Sequence, residues 1–204
     1  SNSFFLIRHG PTKLNDGSFL GQRRNPPLLS KPPPLGTDCR SCFSSPLSRA
    51  VETARASFPN ATIVDDDRLL EIDYGNAEGL MLSDLQSAYP DLVDAWKNQQ
   101  DPPFPRGEST SNVRDRLLSF LDSLNLITGP IWAFSHNVVI RVAIGYHLRI
   151  PLPKWFRIPV DHLDPIEFKQ YQGKYYINLS LEQRAKIADQ LVSHDASYTL
   201  RYLS

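Results

Sequence analysis

The sequence predicts an α/β protein, a three-layer sandwich in which a mostly parallel central sheet carries helices on both faces. Apolar strand candidates alternate with amphipathic helical stretches along the chain, the usual pattern of such folds. The strand candidates are short apolar runs, typical of strands that are buried on both faces. The 204 residues suit one domain with a sizeable core, so we expect a single domain over 1–204 with a lid-like insertion at about 72–107.

The first strand candidate, residues 4–7, ends directly before Arg8, His9 and Gly10. Ligands of open α/β sheets bind just outside the carboxyl ends of the strands. The arginine and the histidine at the end of this run are therefore predicted to lie at a binding site.

Two further strand candidates are followed by charged side chains. Residues 39–45 are β-prone and lead into a helix whose predicted cap is Ser45 and whose first turn contains Arg49. Residues 61–65 form the third candidate, and Glu71 follows them. Because the strands of an α/β sheet can converge at one edge, we expect these charged side chains to lie near the end of the first strand.

The second half of the chain contains the same arrangement as its start, because an apolar run ends at His136 and a helix begins there. Before this run, the sequence predicts a short helix near 82–99 and an amphipathic helix within 107–126. After it, residues 164–179 predict a hairpin, and the tail at 181–204 starts helical and then loses the pattern.

Composition limits the classes of partner. The chain has 22 basic and 22 acidic residues, so no general field attracts nucleic acid or an anionic membrane. We expect no nucleic-acid partner, no membrane association and a cytoplasmic location. Cys39 and Cys42 form a lone CxxC, which favours a reduced intracellular protein over metal or redox use. The proline-rich segment 25–37 favours a stiff loop beside the active site over a docking motif.

The residues at the strand ends suit one chemistry when they are taken together. Arginine offers planar, forked donors for phosphate oxygens. A neutral histidine such as His9 can attack phosphorus and hold the phosphoryl group covalently, while a protonated one such as His136 stabilises its oxygens. A carboxylic acid such as Glu71 can protonate the leaving alkoxide and afterwards activate water. Each residue alone is more often structural; the set predicts phosphoryl transfer.

Three blocks of sequence form a recognisable series. The first block comprises Arg8, His9, Gly10, Thr12 and Asn15. The second comprises Ser45, Leu47, Arg49, Ala50, Thr53 and Ala54, and the third Leu69, Glu71, Gly75, Glu78 and Gly79. The segments "GES" at 107–109 and "SH…IR" at 135–141 complete the series. In order and rough spacing, from residue 4 to about 145, the chain resembles the histidine phosphatase superfamily, the phosphoglycerate-mutase-like group.

The resemblance implies the phosphoglycerate-mutase-like fold and a role for each matched residue. His9 would become phosphorylated and Glu71 would be the proton donor. The groups that would hold the phosphoryl group are Arg8, Asn15, Arg49 and His136. The resemblance also implies a small phosphorylated substrate, no metal and no other cofactor, and it is compatible with a homodimer. Asn137 stands where the family usually has glycine, and we expect its amide to donate to a phosphate oxygen.

The reaction class remains open between three alternatives. A mutase needs extra cations around a bisphosphate, and the resemblance implies an arginine directly after the catalytic glutamate in the mutase branch. In this chain, Glu71 is followed by Ile72 and Asp73. The insertion contains two cations, Lys97 and Arg106, against six carboxylates: Asp73, Glu78, Asp84, Asp91, Asp94 and Asp101. We therefore expect a metal-independent phosphomonoester hydrolase that acts through phosphohistidine. A mutase, with Arg23 and Arg24 near a second phosphate, and a non-catalytic phosphate-binding module are the alternatives.

Overall fold

A six-stranded sheet forms the centre of the molecule in the computed structural model, which describes residues 2–192. The strands are β1 Asn2–Arg8, β2 Ser41–Ser44, β3 Ile63–Asp65, β4 Ile131–Ser135, β5 Ile166–Tyr171 and β6 Lys174–Asn178. Their order is β3-β2-β4-β1-β5-β6. The first four strands of this order are parallel, and β5 and β6 are antiparallel additions at one edge. The predicted mostly parallel sheet is confirmed.

Six α-helices and three short 3₁₀ segments connect the strands of the described chain. The helices are α1 Ser48–Ser57, α2 Leu82–Ala88, α3 Pro90–Lys97, α4 Thr110–Ser123, α5 Asn137–His147 and α6 Leu181–Leu191. The 3₁₀ segments are Asp67–Leu69, Gly75–Ala77 and Leu152–Arg157. Within residues 2–192, no helix has both the length and the apolar character that crossing a membrane requires.

Two apolar layers place helices on both faces of the sheet. Side chains alternate along a strand, so β1 sends Phe4 and Leu6 to one face and Ile7 to the other. The face that contains Ile7 packs against Ala50 and Ala54 of α1. The opposite face carries the larger core, to which α4 and α5 contribute. Every residue of β4 is buried, as expected of a strand covered on both sides.

The register of the central strands brings the two histidines of the sequence analysis together. β1 and β4 are parallel neighbours, with Arg8 opposite Ser135. The backbone N–H of His9 donates to the Ser135 carbonyl at 3.2 Å. His9 and His136 therefore leave the same edge of the sheet from adjacent strands.

The structure differs from the sequence prediction at two helices. The helix expected near 82–99 is divided into α2 and α3 at Tyr89, because Pro90 begins α3 and a proline cannot continue the preceding helix. Ser45 is not the N-cap of α1, which is Leu47; its hydroxyl accepts from the N–H of Leu47 at 3.3 Å and lies 2.8 Å from His136 Nε2. The predicted hairpin is confirmed as β5 and β6, whereas the end of the tail, 193–204, lies outside the described residues.

The two ends of the 72–107 segment are held together by backbone contacts. The N–H of Asn76 donates to the Pro105 carbonyl at 2.7 Å, and the N–H of Glu108 donates to the Asp73 carbonyl at 2.8 Å. Gly75 has a φ of 53°, and a Cβ there would collide with the Pro105 carbonyl. Only glycine fits this backbone approach without cost. The segment thus leaves and rejoins the domain directly beside Glu71.

Candidate active site

His9 lies at the end of β1 with a defined tautomer. Its Nδ1 is 2.6 Å from the Gly10 carbonyl oxygen. A carbonyl only accepts, so Nδ1 carries the proton and Nε2 keeps its lone pair. Arg49 Nε donates to that Nε2 at 3.2 Å. Burial, and then the charge of Arg49, hold the pKa of His9 well below its ordinary value, so the imidazole is neutral and nucleophilic at neutral pH.

Arg49 is a buried cation that backbone carbonyls hold in place. It follows β2 in the first turn of α1, and its side chain donates to the Gly21 carbonyl at 2.8 Å and to the Arg24 carbonyl at 3.4 Å. Among residues 2–192, no carboxylate forms an ion pair with it; Glu52, its near neighbour, binds the N–H of Leu28 instead. Burial lowers the pKa of Arg49 to about 10, so it remains charged at neutral pH. Such a charge is suited to an anion.

Arg8 supplies a second cation with an unused donor. Its Nη1 donates to the Val160 carbonyl at 2.8 Å. Its Nε is buried and has no hydrogen-bond partner within the described part of the chain. Because an unpaired buried donor is costly, an anion that accepts from it would be stabilised.

Glu71 is the carboxyl group of the site, and it is 4% exposed. Its Oε1 accepts from the N–H of Ile72 at 2.9 Å, and its Oε2 accepts from the N–H of Val138 at 3.2 Å. Burial raises the pKa of Glu71, although the two N–H groups and the charges of Arg49 and Arg8 oppose the shift. The carboxyl group therefore keeps a proton at higher pH than an exposed glutamate does.

His136 is buried behind His9 rather than beside the substrate space. The two ring centroids are 5.1 Å apart, and His136 Nε2 is 2.8 Å from the Ser45 hydroxyl oxygen. Its Nδ1 has no hydrogen-bond partner in the part of the chain that the structure describes. Burial, and next the charge of Arg49, hold the pKa of His136 well below its ordinary value. A protonated His136 thus requires a negative charge close by, such as a bound phosphoryl group.

Two asparagines offer amide groups to the same space. Asn15 uses its side-chain oxygen to accept from the N–H and the hydroxyl of Thr12, at 2.8 and 3.0 Å, which leaves its NH₂ group for another acceptor. Asn137 begins α5 directly after His136. Its side-chain oxygen is buried and has no partner among the residues described.

A cavity of about 180 Å³, the catalytic cavity, unites these groups. The predicted site residues that line it are Arg8, His9, Asn15, Arg49, Glu71 and Asn137. His136 is the predicted residue that does not line it. The structure therefore brings the predicted site residues together around one cavity, except for His136, whose ring is buried next to that of His9.

The structure adds His162 and Tyr74 to the walls of the catalytic cavity. His162 Nδ1 donates to the His9 carbonyl at 2.7 Å, and its ring centroid is 5.4 Å from that of His9. The signal for His162 in the sequence is its position just before the hairpin predicted at 164–179. Tyr74 is buried three residues after Glu71, and burial raises the pKa of its hydroxyl. No motif at Tyr74 distinguished it from a core aromatic residue.

Arg23 and Arg24 do not line the catalytic cavity. Arg24 pairs with Glu78 at 3.3 Å and donates to the Phe19 carbonyl at 2.7 Å. Arg23 lies 3.7 Å from Asp73. Arg24 therefore stabilises the loop that follows Asn15, whereas Arg23 lies exposed on its surface.

No group of three or more His, Cys, Asp or Glu side chains within residues 2–192 is arranged to hold a metal ion. Cys39 and Cys42 are free thiols.

A sequence model of the Histidine phosphatase superfamily (branch 1) matches residues 35–181. The chain belongs to this superfamily. The matched part contains Arg49, Glu71 and His136 but begins after Arg8 and His9, which the structure places beside them.

Individual relatives of this member of the superfamily include enzymes of two reaction classes. It is 28% identical over 125 residues to "Phosphoserine phosphatase 1" of Hydrogenobacter thermophilus, covering 59% of each chain. It is 29% identical over 132 residues to a "2,3-bisphosphoglycerate-dependent phosphoglycerate mutase" of Methylobacterium sp., covering 56% of this chain and 64% of the relative. The matches thus span about three fifths of the length of these relatives.

Solved structures confirm the fold. The α-ribazole phosphatase of Shigella flexneri superposes with a TM-score of 0.74 at 22% identity, covering 87% of this chain and 95% of that one. A phosphoserine phosphatase of Entamoeba histolytica in complex with 3-phosphoglyceric acid gives 0.74 at 19% identity, covering 90% and 99%. The phosphoglycerate-mutase-like α/β architecture expected from the sequence is therefore correct.

Proposed function

We propose that the protein hydrolyses a small phosphomonoester through a phosphohistidine on His9, without a metal or other cofactor. One observation carries the proposal: His9 Nε2 has its lone pair, an arginine without a carboxylate partner lies beside it, and a carboxyl group with a raised pKa lines the same cavity. These are a nucleophile, an anion site and a proton donor. The membership of the superfamily and the phosphatases among its relatives support it.

In the first step, His9 Nε2 attacks phosphorus while Arg49, Arg8 and Asn15 bind the phosphoryl oxygens. The Nε2–P bond forms and the bond from phosphorus to the leaving oxygen breaks. Glu71 gives its proton to that oxygen, so an alcohol leaves and a glutamate carboxylate remains. Arg49 donates to Nε2 in the free enzyme, and the phosphoryl oxygens would take over this donor as the bond forms. The second histidine, His136, becomes easier to protonate as the negative charge arrives.

In the second step, the Glu71 carboxylate takes a proton from water, and the water oxygen attacks phosphorus. The Nε2–P bond breaks, inorganic phosphate leaves, and His9 and Glu71 return to their starting protonation states. The groups placed for this step are those of the first, so one cavity serves both.

The small number of cations in the catalytic cavity favours hydrolysis over a mutase reaction, which needs extra cations to bind a bisphosphate. Its arginines are Arg8 and Arg49, while Arg23 and Arg24 are engaged with Asp73 and Glu78. The excess of carboxylates in the 72–107 segment also favours hydrolysis, but it is weaker support than the number of cations because backbone N–H groups bind some of these carboxylates. Glu78 binds backbone N–H groups of the 21–23 loop, and Asp101 binds those at the start of α4.

Three further expectations stay part of this proposal. We propose that residues 1–204 form one domain, that the 72–107 segment acts as its lid, and that the protein works in the cytoplasm. The contacts that tie both ends of the segment together beside Glu71 support a lid. A homodimer stays a prediction.

The test offers the enzyme 3-phosphoglycerate with a bisphosphoglycerate primer and, in parallel, a panel of simple phosphomonoesters with and without chelator. We expect release of phosphate from the panel at a rate that chelator does not change. Rapid interconversion of 2- and 3-phosphoglycerate with little phosphate released would establish a mutase instead. A folded protein that is silent in every assay would favour the non-catalytic module, and loss of activity with chelator would refute metal independence.

A further inference from the structure

A second cavity of about 510 Å³ lies between the 72–107 segment, α5 and the 3₁₀ segment Leu152–Arg157. We call it the side cavity. Pockets that enclose organic ligands usually measure about 300–1,000 Å³. The catalytic cavity, at about 180 Å³, is below this range, whereas the side cavity is within it. The space for the organic part of a substrate is therefore in the side cavity rather than around His9.

The walls of the side cavity are aromatic and aliphatic. They include Tyr74, Trp96, Phe104, Val138, Val142 and Trp155. The ring centroids of Phe104 and Tyr74 are 4.8 Å apart, and those of Phe104 and Trp96 are 5.3 Å apart. Trp155 is fixed by its indole N–H, which donates to the Ile150 carbonyl at 2.8 Å. These walls are preformed for a ring-sized apolar group, which gains affinity because little ordering is required on binding.

Basic side chains also line the side cavity, in a protein whose net charge is zero. Arg141 and Arg157 donate to the Ile158 and Leu191 carbonyls at 2.9 and 3.3 Å, whereas Lys97 and Lys154 are exposed and can be reached by a ligand from solvent. The carboxylate that lines it belongs to Asp101, and it is occupied by the N–H groups of Thr110 and Ser111 at 3.0 and 2.9 Å. Cations around an apolar space favour a ligand that combines an apolar body with a negative charge.

The side cavity adjoins the proton donor. Ile72 and Val138 line it, and their backbone N–H groups are the two that hold the Glu71 carboxyl group. Tyr74 lines both cavities. The oxygen that Glu71 protonates therefore leaves phosphorus at the boundary between the two spaces.

We propose that the side cavity holds the alcohol part of the substrate, and that this part carries a ring-sized apolar body and a negative charge of its own. The inference rests on the proposed hydrolase function and specifies its substrate class. The catalytic cavity binds the phosphoryl group, and the aromatic walls and cations of the side cavity select the alcohol. Trp96 would select for the apolar body, and Lys154 for the second charge.

The test compares three aryl phosphates: phenyl phosphate, 1-naphthyl phosphate and a carboxyl-substituted 1-naphthyl phosphate. Each ratio of two esters is compared between wild type and variant, which cancels the differences in leaving-group acidity. Released phosphate gives kcat/KM for each. We expect the order carboxynaphthyl above naphthyl above phenyl. Trp96→Ala should lower the naphthyl-to-phenyl ratio about tenfold, the usual scale for apolar discrimination in a pocket. Lys154→Gln should lower the carboxynaphthyl-to-naphthyl ratio about two- to fivefold, because the lysine is exposed and its charge is partly screened.

Controls separate selection from folding. Lys174→Gln removes an exposed lysine of β6 that lines neither cavity, and it should leave both ratios unchanged. Trp96→Phe keeps an aromatic ring and should give an intermediate ratio if Trp96→Ala proves unstable. Calorimetric titration of a His9→Ala variant with the same esters measures their binding without turnover, and the dissociation constants should follow the same order.

The outcomes distinguish this inference from the proposed function. Turnover of all three esters with equal kcat/KM, unchanged by Trp96→Ala and Lys154→Gln, would overturn the side-cavity assignment and leave the hydrolase standing. A carboxynaphthol that changes phenyl phosphate turnover without competing for it would make the side cavity a separate ligand site, which also overturns the assignment. Absence of turnover and of phosphate binding in a folded protein would overturn the proposed function itself.

Discussion

The catalytic cavity and the side cavity are neighbours that share Tyr74, yet they are built in opposite ways. The catalytic cavity is small, and its lining is mainly polar or charged groups from the ends of strands and from the loops that follow them. The side cavity is almost three times as large, and five aromatic residues from separate segments lie among the residues that line it. One part of the molecule is suited to a fixed chemistry on phosphorus, and the other is suited to choosing which alcohol is attached.

This difference follows from where each cavity gets its residues. The carboxyl ends of parallel strands lie at one edge of the sheet. Arg8, His9 and His136 are therefore close together regardless of the sequence of the loops. The side cavity depends on how the 72–107 segment folds over α5. A change at Trp96 or Phe104 therefore alters the side cavity, which these residues line, and leaves every residue of the catalytic cavity in place.

The largest effect should come from His9→Ala. This change removes the atom that forms the bond to phosphorus, so turnover of every ester should fall below detection, and no acid-labile phosphoprotein should form with substrate. Incubation with labelled substrate, an acid quench and a phosphate-release assay measure both. Full activity in a folded variant would exclude phosphohistidine chemistry, and then the division of labour between the two cavities would have no basis.

Glu71→Gln should have the next largest effect. The variant keeps the shape of the side chain and loses the proton, so kcat on alkyl phosphates should fall by about 10² to 10⁴, the usual contribution of general acid–base catalysis. The loss should be smaller for aryl phosphates, whose leaving groups need less protonation. Equal losses on both kinds of ester would mean that Glu71 has a structural role.

Glu78→Gln is the matched control for that experiment. Glu78 accepts from the N–H of Gly21 at 3.0 Å and pairs with Arg24, but it does not line the catalytic cavity. Its replacement should lower the free energy of unfolding without a dependence on the leaving group. If the loss of activity in Glu78→Gln depended on the leaving group as it does in Glu71→Gln, the result would contradict the assignment of proton donation to Glu71 rather than to Glu78.

The same contrast explains how far the sequence could predict this molecule. β1 and β4 were predictable because they are continuous apolar runs, and His9 and His136 were predictable because each directly follows one. The boundary between α2 and α3 was missed, since two short helices on either side of Pro90 resemble one in hydrophobic pattern. Local pattern therefore specifies the strand ends well and the insertion poorly.

The remaining failures concern contacts between distant segments. Ser45 has the sequence of a helix cap, but its hydroxyl meets His136, which is 91 residues away. The charges of the insertion indicate an acidic lid, but they could not show that three basic residues of the side cavity, Arg141, Lys154 and Arg157, come from elsewhere in the chain. Packing between segments decides such contacts, and no local pattern records it.

Vanadate should inhibit more strongly than phosphate. The donors of the catalytic cavity are fixed before the reaction, and vanadate adopts the trigonal-bipyramidal geometry of the transition state, so we expect its inhibition constant to be lower by about 10² or more. Arg49→Lys should reduce the ratio of the phosphate inhibition constant to the vanadate inhibition constant, because lysine lacks the planar, forked donors of arginine. Competitive inhibition of phenyl phosphate turnover measures both constants. Equal inhibition by the two anions would mean that the cavity binds phosphate without being shaped for its transfer.

The pH dependence of kcat/KM should show a plateau between the pKa of His9 and the pKa of Glu71. His9 reacts when neutral, and its lowered pKa keeps it neutral as pH falls; Glu71 reacts when protonated, and its raised pKa keeps it protonated as pH rises. The rate should fall below the pKa of His9 and above that of Glu71, at most about tenfold per pH unit. The ratio of wild type to Glu71→Gln cancels the ionisation of the substrate. It should decline as pH rises, and a flat ratio would contradict the role of Glu71 as acid.

The smallest effect on activity should come from Arg23 and Arg24, two cations of the loop after Asn15 that do not line the catalytic cavity. Arg24 binds Glu78, the Ser18 hydroxyl and the Phe19 carbonyl, so Arg24→Gln should lower the free energy of unfolding by about 1–3 kcal/mol, measured by urea denaturation. Arg23 is 55% exposed, and Arg23→Gln should change the free energy of unfolding by less than about 0.5 kcal/mol. For Arg23→Gln, kcat/KM on monophosphates should stay within about twofold of wild type, since removing an exposed surface charge costs little. A large, selective loss on substrates with two phosphates would place a second anion beside this loop instead of in the side cavity.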